Sequence, residues 1–125
     1  KLVELDSNYS MSLGNFYQNQ AKYDQAFTLF EKMSTSQPKN TNVIYQIGRT
    51  SALSGLRPEV GIKALETYQT LALQEGAPSY AAAKMRLGMI YEKMGNKTMA
   101  KTLYKASLTE DPKMDLAKEG LKRVK

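Results

Sequence analysis

The side chains that most often carry out catalysis or bind metal are missing from this sequence. It has no histidine and no cysteine among its 125 residues. Zinc sites of the usual ligand sets, the Ser-His-Asp triad, Cys-His nucleophiles and haem ligation through His or Cys are therefore excluded. The lack of cysteine also means that no disulfide framework exists.

The carboxylates show no arrangement suited to acid–base catalysis. Only one acidic pair, Glu110 and Asp111, is adjacent in sequence, and it lies at a predicted helix boundary where capping explains the aspartate. The run Gly95-Asn96-Lys97-Thr98 is similar to the end of a phosphate-binding loop. It lacks the upstream glycine at the required spacing and the preceding strand. We expect no enzymatic activity, no cofactor and no bound metal.

The elements that would position any functional side chain are helices. Apolar residues recur at helical spacing between Gly and Pro breakers, and no strand pattern competes. Short turns between the helices require neighbours to run antiparallel, which predicts an all-α fold. The predicted helices cover about 7–20, 23–36, 41–54, 58–74, 79–94 and 97–109, with a final helix that Asp111 caps and Pro112 begins.

An apolar residue followed by glycine recurs in three of these helices, at Leu13-Gly14, Ile47-Gly48 and Leu87-Gly88. Glycine costs about 1 kcal/mol relative to alanine inside a helix, so its repetition indicates that another helix crosses closely there. The spacing is 34 positions and then 40. Matching alanine and aromatic positions downstream places about four of the six extra residues in 55–61 and two around 77–80. The residues matched are Ala26 with Phe30, Ala64 with Tyr68, and Ala100 with Tyr104.

This 34-residue helix-turn-helix unit resembles the tetratricopeptide repeat. The first unit carries Leu13-Gly14, Tyr17, Tyr23, Ala26, Phe30 and Pro38, and the third carries Leu87-Gly88, Tyr91, Ala100, Tyr104 and Pro112. The second is a weaker copy, with Ser51 in place of the tyrosine and Gly76 in place of the proline. The resemblance implies an α–α superhelix of three repeats, about 7–40, 41–78 and 79–112, with a capping helix at 113–125. We expect this single domain to be part of a longer protein.

In this family the first helix of each pair lines a concave groove, and the ligand-facing residues flank the glycine. The resemblance therefore implies a groove formed by Met11, Ser12, Asn15, Tyr45, Gln46, Arg49, Met85, Arg86 and Met89. Amides can bond a peptide backbone, Met and Tyr can accept apolar side chains, and Arg can bind a carboxylate in bidentate fashion. The leading hypothesis is a non-catalytic module that binds a peptide or the surface of a protein partner.

One branch of the family holds the acidic C-terminal tails of heat-shock chaperones with lysine, asparagine and arginine. Asn15 and Arg86 match that pattern and Gln46 is a near substitute, but Met11 and Ala82 replace two lysines. Two of three cationic contacts are thus lost. Since charge-assisted bonds supply much of the affinity for such tails, this partner is disfavoured.

Two other functions stay open at this point. The ends of the array could dock on other repeats or on another copy, a structural role, because Leu2, Val3 and Leu5 are typical of the end of a preceding helix. Residues 80–125 contain eleven Lys/Arg against five Asp/Glu, while residues 1–79 contain seven of each. Nucleic acid or anionic lipid could meet this basic third, but Lys97, Lys101 and Lys105 are better interpreted as a solvated helix face. No apolar run is long enough to span a bilayer, so we expect a soluble protein, cytoplasmic or bacterial periplasmic.

Overall fold

The computed structural model describes residues 7–125 and contains seven helices in that range. They are α1 (Ser7–Asn19), α2 (Tyr23–Ser36), α3 (Thr41–Ser54), α4 (Pro58–Tyr68), α5 (Tyr80–Lys93), α6 (Lys97–Glu110) and α7 (Asp115–Arg123). No strand occurs among these residues, so the predicted all-α class is confirmed. Nor is any of these helices long and apolar enough to cross a membrane. The predicted preceding helix at Leu2, Val3 and Leu5 lies outside the described residues.

The helices pack as three consecutive pairs, α1 with α2, α3 with α4, and α5 with α6, followed by α7. The first helices form a continuous row, because α1 contacts α3 and α3 contacts α5. Within the described part of the chain, the second helices α2, α4 and α6 do not contact one another. Instead α2 packs against α3, α4 packs against α5, and α6 packs against the final helix α7. The row α1–α3–α5 is therefore the closely spaced inner side of the stack, as expected for an α–α superhelix.

Each of the three repeated glycines lies under a bulky side chain of its paired helix. A Cβ added at Gly14 would collide with the ring of Phe30, one at Gly48 with Leu65, and one at Gly88 would lie 2.7 Å from Cε1 of Tyr104. Phe30, Leu65 and Tyr104 are each fully buried. Glycine is needed at these sites because the facing side chain fills the space of a Cβ.

The match of Ala64 and Tyr68 to the anchors of the other units was wrong. Ala26, Gly61 and Ala100 are each the fourth residue of their helices and are all buried, whereas Ala64 is only half-buried. Leu65 faces Gly48 and follows it by 17 positions. In the other two pairs the facing residue follows the glycine by 16 positions, from Gly14 to Phe30 and from Gly88 to Tyr104. Only one of the six extra residues thus lies within the second pair.

The other five extra residues lie after α4, which ends at Tyr68 and not near Gln74 as predicted. Residues 69–79 form an irregular connection with turns at 69–70 and 75–76, and two tyrosine hydroxyls hold it by hydrogen bonds to its backbone. The Tyr68 hydroxyl donates to the Pro78 carbonyl, and the Tyr80 hydroxyl donates to the Leu71 carbonyl. Burial raises the pKa of Tyr68 to about 12, with the nearby Tyr45 and Tyr80 adding to the effect. All three pairs keep a three-residue turn between their helices, so these five extra residues lie between the second and third pairs and not within a pair.

The capping helix begins later than the sequence suggested. Asp111 ends α6, its carboxylate accepts from the Lys113 amide at 3.0 Å, and α7 starts only at Asp115. The predicted start at Asp111 and Pro112 was wrong because this local turn satisfies the aspartate first. The ring of Tyr104 lies between Gly88 of α5 and Gly120 of α7. A Cβ added at either glycine would be too close to this ring.

Ion pairing fixes α7 to the stack through the carboxylate of Glu92. Arg123 of α7 donates to it from Nε at 2.8 Å and from a terminal nitrogen at 3.1 Å, and the Tyr104 hydroxyl donates at 2.7 Å. The hydrogen bonds from Arg123 lower the pKa of Glu92 against the opposing effect of burial, and the Tyr104 bond lowers it further. Glu92 therefore remains a carboxylate that links three helices.

Candidate functional site

The inner row carries a chain of hydrogen bonds that joins α1 to α3. Gln18 is 3% exposed, and its amide nitrogen lies 3.0 Å from the Thr50 hydroxyl and 3.2 Å from the Gln46 side-chain oxygen. The Gln46 amide nitrogen in turn donates to Asn42 at 3.3 Å. Because a buried amide without partners is costly, this network fixes the side chains along the inner face.

Arg49 projects from α3 beside this network and is half-buried. Its guanidinium donates to the side-chain oxygen of Gln18, a neutral acceptor. Burial lowers the pKa of Arg49, and the positive charge of Arg86 lowers it further. The two guanidinium groups are thus close enough to repel each other while the Arg49 group is partly removed from water.

Arg86 lies on the neighbouring helix α5 and is only 9% exposed. Its Nε donates to the Tyr45 hydroxyl at 3.0 Å, and one terminal nitrogen lies 3.4 Å from the sulfur of Met89. The Tyr45 ring packs at 5.5 Å from that of Tyr68, which holds the hydroxyl in place. Arg86 is therefore oriented by a tyrosine and a thioether, both uncharged.

Neither inner arginine is paired with an acidic residue of the described chain. The ion pairs found in residues 7–125 join Arg57 to Glu31, Lys84 to Glu110, Lys118 to Asp115 and Arg123 to Glu92. None of these four ion pairs includes Arg49 or Arg86. The inner face thus holds two adjacent, partly desolvated positive charges whose hydrogen-bond partners are neutral, an arrangement that favours an incoming anion.

The structure brings most of the predicted groove residues to the inner row but not all of them. Gln46 and Arg49 both bond Gln18, and Arg86 bonds Tyr45 and Met89, so five of the predicted residues belong to these two groups of hydrogen bonds. Met11 and Asn15 are half-buried and Ser12 is exposed, all on α1.

Met85 differs from the other predicted groove residues. It is 2% exposed and belongs to the core cluster that includes Ala100, Tyr104 and Ala117. Its side chain contributes to the packing of α5 against α6 and α7, so we leave it out of the binding surface proposed below.

Sequence reasoning missed Gln18, whose side chain bonds Gln46, Thr50 and Arg49. A signal was available, because Gln18 follows Gly14 by four positions just as Glu92 follows Gly88. Both residues lie on the first helix of a pair, and both bond an arginine of another helix.

The insertion after α4 also adds a cleft of about 200 Å³ at the edge of this face. Its lining comprises Asn8, Met11, Asn40, Asn42, Gln74, Glu75, Gly76 and Ala77.

Comparison with known families agrees with this geometry. A family model described as tetratricopeptide repeat matches residues 81–114, which span α5, α6 and the turn before α7. The matched segment is the third helix pair, and the first two pairs repeat that architecture with glycine under a bulky side chain at equivalent sites. A search of curated proteins finds no match to this chain.

Tetratricopeptide repeats are in general modules of protein–protein interaction rather than catalytic domains. That general property directs attention to the surface of the stack. The inner face described above is a part of that surface where several polar side chains are held by hydrogen bonds.

Proposed function

We propose that this chain binds a carboxylate-bearing segment of a protein partner on its inner face, between α1, α3 and α5. The observation that supports the proposal most strongly is the pair Arg49 and Arg86. Both are held in place by neutral groups, they repel each other, and no described carboxylate neutralises them. A ligand carboxylate would relieve the repulsion and accept charge-assisted hydrogen bonds from both guanidinium groups.

The groups around the arginines suit the rest of an extended peptide. Asn15 and Gln46 offer amides that can bond a peptide backbone, while Met11 and Met89 offer half-buried thioethers that adapt to apolar side chains. Because Gln18 and Tyr45 already fix the arginines, little side-chain entropy remains to be lost on binding. The proposed ligand is therefore a short extended segment that presents an acidic side chain or a free C-terminal carboxylate.

A selection from a random peptide library with free C-termini tests this proposal. The immobilised chain should enrich peptides with Asp, Glu or a defined C-terminal carboxylate. An enriched peptide is then titrated calorimetrically as synthesised and with its carboxylates converted to amides. Loss of one charge-assisted contact should weaken binding about tenfold or more.

Matched variants separate the inner face from general charge effects. Arg49→Ala combined with Arg86→Ala should abolish capture of the enriched peptide without loss of helicity. Lys97→Ala combined with Lys101→Ala removes the same charge from exposed positions on α6 and should bind like the wild type. Arg49→Lys with Arg86→Lys keeps the charge but loses the bidentate geometry, so intermediate affinity is expected. Equal weakening by the arginine and lysine pairs would refute the proposal.

A further inference from the structure

The insertion after α4 places one acidic side chain at the edge of the inner face. The Gln74 carbonyl accepts from the Ala77 amide at 3.0 Å, which closes a tight turn with Glu75 and Gly76 at its centre. Gly76 has a φ of +78°, as the third residue of a type II turn requires. Glu75 therefore lies at the tip of a turn whose backbone path is fixed.

The side chain of Gln74 fastens this turn to the start of α3. Its oxygen accepts from the Thr41 amide at 3.2 Å and from the Thr41 hydroxyl at 3.0 Å, and its nitrogen donates to the Lys39 carbonyl at 3.3 Å. The cleft of about 200 Å³ is lined by this turn, by the start of α3 and by α1. Among the described residues that line it, Glu75 alone carries a charge.

Polar side chains on α3 join the cleft to the arginine pair. Asn42 lines the cleft and accepts from Gln46, and Gln46 and Arg49 share Gln18 as a partner. The helix rises about 10 Å between Asn42 and Arg49, a distance that an extended peptide covers in about three residues. A ligand residue in the cleft and one at Arg49 would therefore lie about three positions apart in the peptide.

The carboxylate of Glu75 is not neutralised by a basic residue of the described chain. None of the four ion pairs found in residues 7–125 includes it. The inner face thus presents positive charge at Arg49 and Arg86 and negative charge in the cleft. A peptide that carries the opposite charges at the same separation complements both ends.

We propose that the cleft receives a lysine or arginine side chain of the same peptide whose carboxylate binds the arginine pair, an inference that rests on the function proposed above. Glu75 also acts against other ligands, because a uniformly acidic segment would place a second carboxylate beside it, where like charges repel. The preferred ligand is therefore a mixed-charge segment, with a basic residue about three positions from the carboxylate.

Parallel selections from the random peptide library with free C-termini test this inference. The wild-type chain should enrich Lys or Arg about three positions from the acidic residue or the terminal carboxylate. Glu75→Gln should keep the preference for a carboxylate and lose the preference for the basic residue, while Glu75→Lys should favour Asp or Glu at that position instead. Glu66→Gln is the matched control, because Glu66 is exposed on α4 and also lies outside the four ion pairs, and it should select like the wild type.

Titration of one peptide enriched by the wild type then measures the coupling. Replacing its basic residue by methionine, or replacing Glu75 by glutamine, should each weaken binding about twofold to fivefold, the range of an exposed ion pair. Both changes together should weaken binding no more than either alone, because each removes the same contact.

The outcomes separate this inference from the function on which it rests. A wild-type selection with no preference for a carboxylate would overturn both. A preference for a carboxylate without an accompanying basic residue would overturn the inference alone, as would a basic preference that Glu75→Gln leaves intact or two changes whose effects on binding multiply.

Discussion

Replacement of Gly61 by alanine tests the register of the second helix pair. Gly61 is buried in the first turn of α4. A Cβ there would lie 2.9 Å from Cδ1 of Ile90 and closer still to the Cβ and hydroxyl of Ser51. The Cβ of Ser51 is attached to the backbone of α3 and cannot rotate away. The two helices would have to separate to admit a single methyl group.

The sign of the stability change decides between two effects. Helix propensity alone predicts that alanine stabilises the variant by up to about 1 kcal/mol. Overpacking of a close-packed contact costs about 1–3 kcal/mol, and a rigid neighbour favours the upper part of that range. We therefore expect Gly61→Ala to lower the free energy of unfolding by about 1–2 kcal/mol.

Urea unfolding followed by helical circular dichroism measures this change, as a shift of the midpoint at an unchanged slope. Ala64→Leu is the comparison, because the sequence alignment had placed the close contact at Ala64. That residue is half-buried, and its enlargement should cost less than the single methyl at Gly61. A Gly61→Ala variant more stable than the wild type, or a larger loss at Ala64, would refute the register.

Two further predictions concern pH. Since the folded-state pKa of Glu92 lies below its ordinary value, its link to Arg123 stabilises the protein above about pH 4.5 and is lost as the pH falls through the lowered pKa. Glu92→Gln should therefore be less stable than the wild type at neutral pH and equal to it in acid; a difference that persists in acid would contradict this. Since the pKa of Tyr68 is raised from 10.0 to about 12, its neutral phenol stabilises the fold below pH 10 and the contribution is lost as the pH rises toward 12. The stability gap between wild type and Tyr68→Phe should narrow over that interval, and a constant gap would show that the phenol is not buried as described.

Much of the fold could be predicted from local signals in the sequence. The bounds of α2 and α3 agree with the prediction, because Pro38, Gly55 and the helical spacing of apolar residues act locally. The end of α4 could not be found in this way. Leu71 and Leu73 continue a helical pattern, but hydrogen bonds from Tyr68 and Tyr80 to distant carbonyls hold the chain in another path. Tertiary contacts here override local propensity.

The register error had a different cause. Gly61 and Ala64 are both small. The alanines of the other two units favoured Ala64 as the small residue at the helix crossing, whereas distance from the start of the helix favours Gly61. On the inner face, position relative to the repeated glycine placed Arg49 and Arg86 on neighbouring first helices. It could not reveal that Gln18 bonds Arg49 or that α6 and α7 cover Met85, since both depend on contacts between pairs.

The most direct test of the inner face is a map of where an enriched peptide binds. Nuclear magnetic resonance of the labelled chain, including the arginine Nε–H groups, would follow each residue during a titration with that peptide. We expect the largest shifts at Asn15, Gln46, Arg49, Arg86 and Met89, with no change along Lys97, Lys101 and Lys105. Shifts concentrated on those lysines, with both arginines unaffected, would contradict the account.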